Sequence, residues 1–121
     1  MELFDTSMVG LQMAMYGANL RQEVLANNVA NANTPGFKRS DVDFHAALEQ
    51  AFAGSPTPQS LEQLSFQPTP DQSAGSEQVD GNNVDIDAEM ADLSQNTLDY
   101  ESMASVMSTR MQILKTAIGT T

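Results

Sequence analysis

Two stretches of this chain carry apolar residues at alternating spacings of three and four, and no other feature limits its possible folds so strongly. The first runs Met8, Leu11, Met15, Ala18, Gln22, Leu25, Val29 and Ala32, with Gln22 the one polar member. The second runs Ile86, Met90, Leu93, Thr97, Tyr100, Ala104, Met107, Met111, Leu114 and Ile118. On a helix this spacing places the side chains in one stripe, the geometry of a seam that packs on another helix. The first stretch is expected to be helical from Asp5 to about Ala32, with Asp5, Thr6 and Ser7 as N-cap candidates. It is a weak helix in isolation: Gly10 and Gly17 each cost about 1 kcal/mol relative to Ala, and Asn19, Asn27, Asn28 and Asn31 are poor helix formers. It therefore needs a partner. The second stretch, from about Ile86 to Ile118, places Asp85, Asp87, Glu89 and Asp92 near its start and Arg110 and Lys115 near its end, as the helix dipole favours. Gly119 can close it.

Between the two lies a region of different character. Thr34-Pro35-Gly36-Phe37 is a turn signal, because Pro presets φ at the second turn position and Gly accepts the positive φ of a type II turn at the third. Val42 to Phe52 is mildly amphipathic and suits a short helix. Residues 53–81 hold four of the five prolines and show little periodicity, which predicts a flexible or extended loop. The expected fold is thus mainly all-α. Residues 1–34 and 85–121 supply two terminal helices whose seams pack on other helices, and 35–84 form a turn and a flexible, irregular central region.

Composition removes several classes of function. The chain has 121 residues, no cysteine, and 16 acidic against 5 basic groups for a net charge of −11. Disulfides and thiolate metal sites are excluded. Nucleic-acid and membrane-surface binding are disfavoured, since both need clustered cations and Lys38-Arg39 is the one adjacent basic pair. No segment approaches the roughly 20 apolar residues of a membrane span. The opening Met1-Glu2-Leu3-Phe4-Asp5 lacks the basic start of a secretory leader, so export would require another route. A small chain with a limited core and apolar residues outside its seams, such as Met13, Leu20, Leu98 and Ile113, reads as a subunit completed by assembly. A helical hairpin stable by itself is the alternative.

Candidate chemistry is sparse. His45 is the one histidine and reads as a surface residue, with no G-x-S-x-G nucleophile turn to accompany it. The acidic run from Asp80 to Glu89 fails as an EF-hand, because Val84 and Asp85 stand where a ligand and Gly are required. The eight methionines suit adaptable helix packing. No enzyme, metal or cofactor is expected.

The string ANNVANANTPGFKR, residues 26–39, closely resembles the signature of the bacterial flagellar rod and hook proteins, the axial family. In that family an Asn-rich helix end runs into a Thr-Pro-Gly-Phe turn and a basic pair. GNNVDIDAEMADLSQNTLDYESMASVMSTRMQILKTAI, residues 81–118, resembles the C-terminal segment of the FlgB-type proximal rod members, and Asp41-Val42-Asp43-Phe44 follows the signature in register. The resemblance covers both ends, leaving the 53–80 loop unmatched. It implies a structural, non-enzymatic subunit whose terminal helices form a coiled coil in the assembled rod, the drive-shaft that transmits torque. It also implies neighbouring rod subunits of the FlgC type, a FliE-type adaptor, and the flagellar export apparatus in transit as partners. The location implied is the basal body, reached from the cytoplasm without a cleaved leader.

The assembly contacts expected are the seam residues Met8, Leu11, Met15, Leu25, Val29, Ile86, Met90, Leu93, Tyr100, Met107, Met111, Leu114 and Ile118. The signature residues Asn27, Asn28, Asn31, Asn33, Thr34, Pro35, Gly36 and Phe37 form a second contact. Their amides can end the helix, bond across a subunit boundary, or both. Phe44 and Leu48 have the Phe-x-x-x-aliphatic form of an export-gate element in related substrates, and equally the form of a small amphipathic helix. A FlgC-type rod protein, or an acidic hairpin adaptor or export chaperone acting in the cytoplasm, are the rival readings. Nine of the 16 acids fall between Asp71 and Glu101, a stretch free of Lys and Arg that either keeps monomers apart or faces a basic neighbour.

Overall fold

The computed structural model describes residues 5–71 and 77–119; the acidic start of the chain and residues 72–76 of the central loop lie outside them. In chain order the elements are α1 (Thr6–Ala30), β1 (Ser40–Asp41), α2 (Phe44–Ala53), α3 (Pro58–Glu62), β2 (Thr69–Pro70) and α4 (Ile86–Gly119). Helices α1 and α4 pack antiparallel, over the length of α1. Arg110 reaches Asp5 at one end, the Asn96 amide donates to the Ala18 carbonyl midway, and Asn28 donates to Glu89 at the other.

Local chemistry explains the helix boundaries. Asp5 caps α1, its Oδ1 accepting from the Met8 amide at 2.8 Å. At the other end the Asn31 backbone amide donates to the Asn27 carbonyl at 3.1 Å and its side chain donates to the same oxygen at 2.8 Å, which satisfies a terminal carbonyl. Asp85 opens α4 by accepting from the amides of Asp87 and Ala88. The expected type II turn is present: Gly36 has φ +75°, and the Phe37 amide donates to the Thr34 carbonyl at 3.2 Å.

Helix α1 is the central element, contacting α4 along its length and α2, α3 and β1 besides. The core gathers Ala18, Val42, Phe44 and Phe66, with Met13, Leu20, Val24, Leu48 and Leu64 packed around them. The glycines that weaken α1 as an isolated helix have a use here. A Cβ on Gly17 would stand 2.5 Å from the Phe44 Cβ, and one on Gly10 would stand 2.5 Å from the Phe52 ring. Their absence lets α2 lie directly on the α1 backbone.

The central region differs from the expected loop. Thr57 and Ser60 form a capping box for α3, and β1 pairs antiparallel with β2, Ser40 opposite Pro70 and Asp41 opposite Thr69. Leu61 and Phe66 are buried and anchor this segment to the core. Isolated apolar anchors several residues apart produce no period, which is why the sequence pattern reads as a loop.

Candidate assembly site

The first part of the site is a polar clasp where α1 ends. Asn28 is fully buried; its side-chain amide donates to the Ser40 carbonyl at 2.7 Å and to Glu89 Oε2 at 3.1 Å, while its Oδ1 accepts from the Ser40 amide at 3.0 Å. Asn82, also fully buried, donates to the carbonyls of Asn31 and Thr34 at 2.8 and 2.9 Å and accepts from the Val84 amide. Asn83 accepts from the Arg39 amide at 2.7 Å and donates to the Asp71 carbonyl at 2.9 Å. The Gly36 amide donates to the Asp80 carbonyl at 2.8 Å, so the turn at Thr34–Phe37 is tied to the turn that precedes α4.

Arg39 is the electrostatic centre of the clasp. Its guanidinium bonds Glu89 and Asp71 and lies 3.5 Å from Asp41, and the Arg39 and Glu89 side chains are only 7% and 1% exposed. Burial works to lower the Arg39 pKa, but the Glu89 hydrogen bond and the charges of Glu89, Asp41 and Asp71 outweigh it and hold the value above normal. Arg21 on α1 makes a two-point bond to Asp41, at 2.8 and 3.2 Å, which raises the Arg21 pKa against desolvation. Burial pushes the Asp41 carboxyl upward, yet the bonds from Arg21 and the Val42 amide hold it below the usual carboxylate range.

The second part is the outer face of α4. The seam positions of α1 turn inward: Met8 and Leu25 are buried, and Leu11, Met15 and Val29 are half-buried. Those of α4 do not follow suit. Ile86, Met90, Tyr100, Met111 and Ile118 are exposed, whereas Leu93, Met107 and Leu114 are half-buried. The residues of α4 buried most deeply are polar, Glu89 and Asn96. Asn96 donates to the Ala18 carbonyl at 2.8 Å and to Gln22 Oε1 at 2.9 Å, which joins the polar member of the α1 seam to α4. The physical reason is periodicity. A repeat of four and three drifts by about 20° per heptad around a straight helix, so over four heptads the stripe cannot stay beneath α1. It lies on the flank near Ile86 and Met90 and swings toward α1 by Ala104 and Met107, which are half-buried.

The signature residues separate into two groups. Asn28 is buried and Asn31 and Phe37 are half-buried, while Asn27, Asn33, Thr34, Pro35 and Gly36 are exposed. Asn28 spends both ends of its amide inside the subunit. Phe44 is buried and Leu48 half-buried, both in the core. His45 is exposed, 3.8 Å from Asp99. The pattern reading missed Arg39, Glu89, Asn82 and Asn83 as a bonded unit. They stand within residues 26–39 and 81–118, but no periodicity brings residues from the two halves together.

A polar clasp at one end, with apolar side chains left uncovered along a long helix, describes a mainly helical protein with apolar surface open to packing. The family of flagella basal body rod proteins matches residues 11–38. The flagellar basal body rod protein FlgB of Bacillus subtilis (strain 168) is 32% identical over 125 residues, covering 98% of this chain and 97% of that protein. FlgB of Aeromonas hydrophila is 32% identical, with 95% and 94% of the two chains covered, and FlgB of Escherichia coli (strain K12) is 33% identical, with 73% and 75% covered. The chain belongs to the FlgB family of flagellar basal-body rod proteins. It is a structural subunit of the proximal rod and not an enzyme.

Proposed function

We propose that this subunit polymerises through its terminal helices, the exposed stripe of α4 packing against neighbouring rod subunits while the clasp fixes the angle of the helical pair. The single observation that carries this reading is the exposure of the α4 seam beside a polar inner face. A helix that buries Glu89 and Asn96 internally and leaves Ile86, Met90, Met111 and Ile118 outside has its apolar surface available for another molecule. The neighbours on this reading are FlgC-type rod subunits and a FliE-type adaptor, with oligomerisation in the rod and torque carried along the packed helices. The signature contributes from within, by holding the α1 end against the start of α4.

The test is complementation of a strain lacking the gene with an Ile86→Ser, Met90→Ser double variant. Normal subunit levels with no rods in purified basal bodies are expected. Motile cells with complete rods would overturn the reading. A photo-crosslinker at Met90 should capture rod subunits, which identifies the neighbour.

Export without a cleaved leader belongs to the same proposal. Among the described residues no helix is long and apolar enough to cross a membrane. Phe44 and Leu48 are in the folded core, so an export gate could read them only in the unfolded chain. Phe44→Ala is expected to reduce the secreted amount in an export assay, whereas Leu25→Ala, a truncation at an equally buried position outside this element, should leave it unchanged. Unchanged secretion would remove this element.

A further inference from the structure

Helix α4 is divided by charge as well as by exposure. From Ile86 to Glu101 it carries five acids and no base, and from Ser102 to Gly119 it carries Arg110 and Lys115 and no acid. The basic half also projects. The Arg110 guanidinium lies 3.5 Å from Asp5, the residue that caps α1, and α4 continues nine residues further, to Gly119. At ~1.5 Å per residue that overhang is about 13 Å long. Met111 and Ile118 are exposed on it, and Lys115 has no carboxylate partner among the described residues. Lys115 stands four residues after Met111 and three before Ile118, so its charge borders their apolar stripe. In the acidic half, Ile86 and Met90 form an exposed apolar pair, with the exposed carboxylate of Asp87 beside it.

From this complementarity we infer that the overhang of one copy docks on the Ile86/Met90 flank of a second copy, Lys115 facing Asp87, in a head-to-tail contact. This rests on the polymerisation proposed above and specifies which surfaces meet. Symmetric alternatives oppose like charges, since flank on flank brings carboxylates together and overhang on overhang brings cations together. A head-to-tail contact uses two different surfaces on each copy, so it remains open to further addition. It is also small. A helix end of nine residues covers much less than the ~800 Å² per partner of a stable interface, so a pair of copies associates weakly and stays apart until several contacts form at once.

Because the chain has no native cysteine, engineered thiols report the contact directly. The full-length Met90→Cys, Ile118→Cys variant, oxidised at high protein concentration, is expected to give a ladder of covalent oligomers by gel electrophoresis, and each single-Cys variant only a trace of dimer. Adding Lys115→Glu should slow ladder formation about fivefold, and adding Asp87→Lys to that variant should restore it. Salt should slow the parent and leave an uncharged Lys115→Met version less affected. Rapid dimerisation of Met90→Cys alone would overturn the inference in favour of a symmetric contact. A ladder indifferent to Lys115→Glu, or no ladder at all, would overturn it too. In either case rod incorporation of the Ile86→Ser, Met90→Ser variant would still decide the broader proposal, so the two can fail separately.

Discussion

The two ends of the α1–α4 hairpin solve opposite problems. Where α1 finishes, the amides of Asn28, Asn82 and Asn83 and the charges of Arg39 and Glu89 are bonded to one another and to the neighbouring backbone. Where α4 finishes, Met111, Ile113 and Ile118 stand in solvent and the helix runs on past its partner. The contrast separates geometry from adhesion. A subunit that must pack in one orientation needs a rigid reference, and a network of buried hydrogen bonds supplies it because few alternative arrangements satisfy the same groups. A subunit that must also join others needs uncovered apolar surface, which costs little in the monomer if it lies on a helix already held elsewhere.

Breaking the clasp should have the largest effect. Arg39→Ala leaves Glu89 buried with its main cation removed, and is expected to destabilise the monomer by about 3–5 kcal/mol in urea denaturation. A combined Arg39→Met, Glu89→Leu variant should recover much of that loss, since two apolar groups replace two desolvated charges. Asn28→Ala follows, at about 2 kcal/mol, because it strands the amide and carbonyl of Ser40. A rod defect in that variant would then reflect a loosened subunit rather than a missing contact between copies.

Gly17→Ala tests the packing that links clasp to core. Helix propensity alone predicts a gain of about 1 kcal/mol, whereas the collision with Phe44 predicts a net loss of about 1–3 kcal/mol. Thermal unfolding gives the sign, and a stabilised variant would show that α2 can shift away from α1.

The pH response comes from the same end of the molecule and is smaller. Asp41 has a lower pKa folded than unfolded, so its bond to Arg21 stabilises fully above the ordinary carboxylate value near ~3.9 and is lost as pH falls through the folded value. Urea midpoints measured across that acidic window should fall less in Asp41→Asn than in the parent. Met111→Ser and Ile118→Ser should change monomer stability least, within about 0.5 kcal/mol. A larger loss in either would mean that the overhang already packs within its own subunit.

Much of this architecture can be read from the order of residues. The spacing of apolar side chains marks α1 and α4, Asp5 marks a helix start, and Pro35-Gly36 marks a type II turn whose φ of +75° only glycine takes without strain. These features are legible because each depends on neighbours a few residues away. The α3 turn and the buried Leu61 and Phe66 are not, since single anchors leave no period. The clasp is not either. Arg39 and Glu89 lie fifty residues apart, and nothing in the spacing of either half points to the other.

What the sequence determines by itself is therefore the inventory: two amphipathic helices, a fixed turn between them, and a charge imbalance concentrated before and within the second helix. The tertiary structure decides how that inventory is used. It turns the α1 stripe inward and much of the α4 stripe outward, because Asn96 and Glu89 find partners on and beyond α1 that no apolar side chain could satisfy. A straight helix cannot keep a heptad-like stripe on one line, so its rotation about its own axis must be chosen. Buried hydrogen bonds make that choice here, and they leave the remaining apolar positions to other molecules.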